Sequence, residues 1–203
     1  GWSAVDFHFT KWWDTTEDTE LLIFVVGDAN IYEWGGGMAE VESVTANTIT
    51  KKGASTWKQA GFYSTRNKIV VINGVEYAYT GGENTTTLTG VTPDPLAGGV
   101  VAGDVATQKI VTNSNSPAAG VVNDFVGTLN NQLYVGSETA NEVYVSRNTA
   151  YATFTFSSPR LPGEGELLTL DSPGVGLAPL DQDMIVFAGE GDIYATQFEQ
   201  LDV

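Results

Sequence analysis

The chain has 203 residues, with 9 Lys or Arg against 25 Asp or Glu and a formal net charge of -16 at pH 7. Its 42% hydrophobic content is enough to build a core, so it is not an acidic disordered tract, and its negative field opposes binding to phosphate backbones and anionic membrane. The lack of cysteine excludes disulfides, thiolate catalysis and Cys-ligated metal, and no apolar run approaches the roughly 20 residues of a membrane helix. Glycine is plentiful, with many Thr, Val, Asn and aromatic residues, a mixture that favours strands and turns. No long segment shows helical apolar periodicity. The expectation is an all-β protein. The chain opens on Gly1-Trp2-Ser3, without an initiator Met or a signal-peptide pattern, and so reads as processed or as a piece of something longer.

In chain order, residues 4–9 alternate, with Val5, Phe7 and Phe9 on one face and Asp6, His8 and Thr10 on the other. An acidic loop, 14–20, leads into TELLIFVVGDANIYEW (19–34), then a turn at Gly35-Gly36-Gly37 and strand candidates at 39–44 and 47–50. Residues 1–50 thus read as one four-stranded unit. The pattern changes at Lys51. Strands at 68–72 and 75–80 flank Asn73-Gly74, the strongest short hairpin signal. Turns follow at Gly81-Gly82 and Pro93-Asp94-Pro95, and 104–111 closes the segment. Residues 51–117 read as an inserted small β module of barrel or sandwich type, which carries Lys51, Lys52, Lys58, Arg66 and Lys68 and ends at a polar hinge, 113–117. Residues 118–203 resume the first style. Strands at 124–129, 132–136, 142–146 and 153–157 form a second four-stranded unit. A Pro/Gly-rich connection, 159–179, holds a short strand at 166–170, and a last hairpin spans 182–188 and 192–198.

Three of these segments share one pattern: 19–34, NNQLYVGSETANEVYVS (130–146) and QDMIVFAGEGDIYATQ (182–197). Each is an apolar run, a glycine (Gly27, Gly136, Gly189), a polar turn, then Ile or Val followed by Tyr32, Tyr144 or Tyr194. A hairpin repeated along a chain, too small to bury a core alone, signals stacked or radial β architecture. Outside the insert the residues suffice for about three propeller-type blades at roughly 40–45 each. A closed propeller needs about four or more. The expectation is therefore a sector completed by a longer polypeptide or by an assembly, since an open sector would expose sheet edges.

The run TTEDTELLIFVVGDANIYEWGGGMAEVESVTANTIT, then TWKQAGF, then VINGVEYAYTGGENTTTLTGVTPDP, then LYVGSETANEVYVSRNTAYATFTFSSPRLPGEGELLTLD resembles a family of tailed-bacteriophage virion structural proteins with propeller-like repeats and a small β insert. The resemblance covers most of the chain, and its specificity lies in the order of the segments. It implies a tail or tail-connector component in the virion, assembled in rings from copies of itself and neighbouring tail proteins. By fold-level analogy, the nozzle proteins of short-tailed phages also combine a propeller with other β domains. The family offers no catalytic residues to carry over.

Few residues invite chemistry. His8 is the single histidine, so any Ser-His-Asp triad would have to use it; on the polar face of a strand it reads as a surface or interface residue. Asp14, Glu17, Asp18 and Glu20 could hold Ca²⁺ but lack the spacing of an EF-hand loop, and a solvated turn is the better reading. Asp181 and Asp183 read as a charged strand start. Ser146-Arg147-Asn148 faintly resembles the Asp-box turn of sialidase-type propellers. It departs from that pattern at Asn148, Ala150 and Phe154, and such turns are structural. The glycines at 35–37 lack the Gly-Lys-Ser/Thr that a phosphate loop needs. Trp12 and Trp13, adjacent in a strand, face opposite ways: one belongs in a core, the other to an interface or a sugar platform. Trp2 and Trp34 read as packing residues. No catalytic, metal or cofactor residue is assigned, and Trp12, Trp13 and His8 are the interface candidates. The expected function is non-enzymatic: a structural part of a phage tail tube, nozzle or connector, its acidic surface letting DNA pass without adhering. The alternatives are a propeller at a tail tip that binds a receptor or host-surface glycan and, behind it, a polysaccharide-cleaving enzyme with paired carboxylates.

Overall fold

A computed structural model of the chain describes residues 7–15, 18–28, 30–63, 67–113, 122–147, 154, 164–181, 183–189 and 193–196. In chain order its strands are β1 (His8–Asp14), β2 (Thr19–Val25), β3 (Ile31–Trp34), β4 (Met38–Val44), β5 (Thr48–Lys51), β6 (Ile69–Ile72), β7 (Val75–Ala78), β8 (Thr87–Thr89), β9 (Val105–Gln108), β10 (Val111–Asn113), β11 (Phe125–Leu129), β12 (Gln132–Gly136), β13 (Glu142–Val145), β14 (Glu166–Thr169), β15 (Gly174–Leu180), β16 (Asp183–Ala188) and β17 (Ile193–Thr196). The helical content of the described residues is one 3-10 turn, Lys58–Ala60. The protein is all-β, as the composition predicts, and is built of several antiparallel sheets. It divides into two units, Gly1–Trp13 with Leu22–Glu33 and Thr112–Val203, and Asp14–Leu21 with Trp34–Val111.

The first unit holds three sheets, ordered β1-β2-β3-β10, β11-β12-β13-β14 and β15-β16-β17. In the second sheet the register Leu129↔Gln132 leaves a two-residue turn, Asn130-Asn131, at φ 48° and 58°, the left-handed pair that a tight hairpin requires. Phe125, Tyr134, Val143 and Val145 project from one face of this sheet. They share an apolar cluster with Met184, Val186 and Ala188 of β16. From the opposite face Val126, Leu133 and Val135 are also buried. On that side the Thr10 hydroxyl of β1 donates to the Thr128 hydroxyl at 3.0 Å, while Trp12, Ile23, Val25 and Ile31 of the first sheet are buried. The second sheet is thus packed on both faces, between the first and the third.

The second unit is one six-stranded antiparallel sheet, β7-β6-β9-β4-β5-β8. It curls until its far edges approach each other, linked by bridges Ala78↔Thr92 and Gly81↔Thr89. Its core gathers Val41, Ile49, Trp57, Phe62, Val70, Ile72, Tyr77 and Leu88. Trp57 and Phe62 meet edge to face with centroids 4.7 Å apart, and the indole N–H donates to the Thr86 carbonyl at 2.9 Å. The Asn73-Gly74 hairpin forms where the sequence places it, with Ile72 opposite Val75 and both turn residues at positive φ.

Several boundaries differ from the sequence reading. Residues 1–50 are not one sheet: β4 pairs with β9 and β5 with β8, so the second unit takes in Trp34–Val111, together with Asp14–Leu21, and does not start at Lys51. The fourth strand beside β3 is β10, which returns after the whole second unit. Beside β13 the fourth strand is β14; the expected strand at 153–157 lies outside the described residues except for Phe154. The 159–179 connection also holds β15, a seven-residue strand carrying Pro179 opposite Met184. Proline removes a ladder donor, but β15 is an edge, where proline is tolerated.

Candidate functional site

The described residues place the interface candidates on β1, an edge strand. Trp12 is 3% exposed and Trp13 52%, the inward and outward division that adjacent strand positions require. His8 is exposed, and its face runs inward along the strand to Thr10 and Trp12. The opposite face carries Phe7, Phe9, Lys11 and Trp13, and Phe9 is 61% exposed. Aromatic contacts continue this face across the sheet, with Phe7–Phe9 centroids 5.9 Å apart, Phe7–Phe24 5.1 Å and a stacked Phe24–Tyr32 pair at 5.2 Å. Alternation was legible in the sequence, but not that the apolar side of β1 would be its outer side.

The repeated tyrosines occupy matching places: Tyr32, Tyr144 and Tyr194 each lie on the third strand of their sheet. Each hydroxyl donates to a carboxylate, Tyr32 to Asp28 at 2.6 Å, Tyr144 to Glu142 and Tyr194 to Asp171 at 3.0 Å. Burial and the Asp28 hydrogen bond raise the Tyr32 phenol above its ordinary value. Burial first, then the hydrogen bond and charge of Glu142, push Tyr144 up to about 12. Unfolded tyrosines ionise near ~10. A folded value above that makes a stabilising contribution that is complete below pH ~10 and lost as pH rises through the folded value. The expected result is a fall in stability between pH ~10 and ~12, shallower in Tyr144→Phe, with the Tyr144 phenolate absorbing only at the top of that range. An unchanged slope in the variant would count against this coupling.

Other carboxylates are committed to turns. Asp28 accepts from the Asn30 amide at 2.8 Å, Asp124 from Glu138 at 2.7 Å, Asp94 from Ala97 at 3.0 Å and Asp104 from Val101 at 2.9 Å. Ser146, from the Asp-box-like turn, is buried, accepts from the Leu133 amide at 2.9 Å and donates to the Arg147 carbonyl, a structural arrangement. Among the described residues no three His, Asp or Glu side chains come together to hold a metal, and no helix is long and apolar enough to cross a membrane. Of the acidic loop, Glu17 lies outside the described residues.

Two clefts are lined by described residues. One of about 480 Å³ in the second unit is polar, lined by Asp18, Thr19, Thr56, Lys58, Gln59, Tyr63 and Asn84. Thr56 and Gln59 are already engaged there in reciprocal side chain–backbone hydrogen bonds of 2.9 and 3.1 Å. The other, about 350 Å³, runs between β14 and β16–β17 and is lined by Leu167, Leu168, Leu170, Val186 and Tyr194 among others. Taken together, the described chemistry is apolar faces, turn-capping acids and hydroxyl–carboxylate contacts, suited to packing and binding. No protein-family model matches this chain, and no curated protein is significantly similar to it.

Proposed function

We propose that this chain is a non-enzymatic structural component of a bacteriophage tail, of tube, nozzle or connector type, whose sheets are propeller-type blades that work inside a ring. The observation that carries the reading is the row of three antiparallel sheets with a tyrosine hairpin at the same place in each. Radially repeated sheets are built this way, and such arrays serve as rigid walls. The charge distribution also supports it. The basic residues of the first unit are Lys11, Arg147 and Arg160 alone, so its surface repels a passing nucleic acid. Within the resembling family, ring assembly and a place in the virion follow. The test is mass spectrometry and antibody labelling of purified particles of the source phage. Tail-localised label supports the reading, and absence of the protein from infectious particles overturns it. In the same reading the purified protein leaves duplex DNA unretarded in a gel even at low salt. Retardation there would contradict the role assigned to the acidic surface.

The exposed indole of Trp13 favours a second reading, glycan binding at a tail tip. Saturable binding to a host polysaccharide, abolished by Trp13→Ala, would favour it over the first.

A further inference from the structure

The polar cleft of about 480 Å³ lies wholly within the second unit, and backbone hydrogen bonds hold its walls. The Trp57 amide donates to the Thr85 carbonyl at 3.0 Å and the Lys58 amide to the Glu83 carbonyl at 2.7 Å. The 3-10 turn that carries Lys58 and Gln59 is thus tied to the chain on both sides of Asn84. The segment bearing Asn84 is itself closed, since Thr85 donates through both its amide and its hydroxyl to the Gly82 carbonyl at 2.9 Å. Another wall is Tyr63, buried and packed against Gly35, where a Cβ would overlap its ring. On this frame the lining side chains keep hydrogen-bonding capacity. Gln59 gives its Oε1 to the Thr56 amide and Thr56 its Oγ1 to the Gln59 amide, which leaves both carboxamide N–H groups of Gln59 and the hydroxyl proton of Thr56. Among the described residues the Asn84 carboxamide, the Thr19 hydroxyl and the Asp18 carboxylate carry no hydrogen bond.

We infer that this cleft binds a neutral mono- or disaccharide, held by the Gln59 and Asn84 carboxamides, the Thr19 and Thr56 hydroxyls and the Asp18 carboxylate. The inference goes beyond the tail reading and does not depend on it. Its volume falls in the range of roughly 300–1,000 Å³ typical of small-ligand sites. Such sites are mostly apolar, whereas this one is lined chiefly by amide, hydroxyl and charged groups, so the ligand it fits has a polar surface. Charge narrows the class. Lys58 and Asp18 contribute one charge of each sign, so a phosphate or other anion would meet a carboxylate as well as an ammonium. What remains is a mixture of uncharged donors and acceptors. A sugar hydroxyl donates and accepts at once, and a carboxamide offers it both an N–H and a carbonyl oxygen. Because the walls are fixed by backbone hydrogen bonds, little ordering is needed when the sugar enters.

The test is NMR titration of the full chain, reading the side-chain amide signals of Gln59 and Asn84, with lactose, cellobiose and N,N′-diacetylchitobiose as probes. Glycylglycine and inorganic phosphate serve as the zwitterionic and anionic comparisons. At least one disaccharide is expected to shift both amide pairs saturably, with one dissociation constant in the millimolar range, since hydrogen bonds exchanged with water contribute little each. Asn84→Ala should weaken binding about tenfold. Gln59→Glu keeps an oxygen for the Thr56 amide but removes both N–H donors, and should weaken it by a similar factor. Both positions are exposed, so melting is expected to match the parent. Trp13→Ala should leave the titration unchanged. No saturable shift by any of the three sugars at tens of millimolar overturns the inference, and so does binding of glycylglycine or phosphate alone. Saccharide binding that is lost in Trp13→Ala but kept in Asn84→Ala and Gln59→Glu also overturns it, and would favour the glycan reading of Trp13 instead. None of these outcomes bears on whether the protein is found in phage tails.

Discussion

Replacing Trp57 by alanine is expected to cost the second unit about 3–5 kcal/mol, the range for deleting a large aromatic from a packed core. Trp57 is fully buried, stacks edge to face on Phe62 and donates its indole N–H to the Thr86 carbonyl, which in the variant loses that donor inside the core. For a unit of this size the shift in melting temperature is on the order of 20 °C. The core around Trp57 shares no residue with the cluster around Phe125. Calorimetry should therefore show one transition moving and the other staying. A parallel shift of both would mean that the two units melt cooperatively.

The second large effect is expected at Phe125, in the cluster that joins the second and third sheets. The ring lies against two glycines, Gly136 opposite it on β12 and Gly174 at the start of β15, and a Cβ at either would overlap it. Phe125→Ala opens a cavity between the sheets and should cost about 3–5 kcal/mol. Gly136→Ala meets the ring from the other side and should cost roughly 1–3 kcal/mol by overpacking. Because both act on one space, Phe125→Leu combined with Gly136→Ala should be less destabilised than the sum of the single variants. Denaturant unfolding of the four proteins measures this coupling; strict additivity would mean that ring and glycine do not share the space.

The exposed ion pairs are not expected to matter comparably. Lys52–Glu40 and Lys109–Glu76 both close to 2.7 Å, but their side chains are well exposed to water. Such pairs contribute ~0–1 kcal/mol, less in salt. Lys51 differs, since it is buried with its ammonium donating to the Lys52 carbonyl and the Ser55 hydroxyl. The cluster of lysines that the sequence shows at the start of the insert is thus divided between packing and surface.

The sequence alone determined what local physics controls. Period-two alternation, β-branched and aromatic runs and glycine-bearing turns marked the class and most strands, and Asn73-Gly74 set one hairpin register outright. Recurrence of the tyrosine hairpin marked three equivalent places, and adjacency of Trp12 and Trp13 fixed that they would face apart. Only the tertiary structure decided which strands became neighbours. β10 closes the sheet of β3 after the whole second unit, and β4 and β5 leave their sequence neighbours to pair with β9 and β8. Alternation reports that a strand has two unlike faces; it does not report which distant backbone satisfies its edges or which face another sheet will cover. Those outcomes depend on burial summed over segments far apart in the chain. For the same reason β15 read only as part of a Pro/Gly-rich connection, and the aromatic side of β1 was readable as a face but not as the exposed side of that strand.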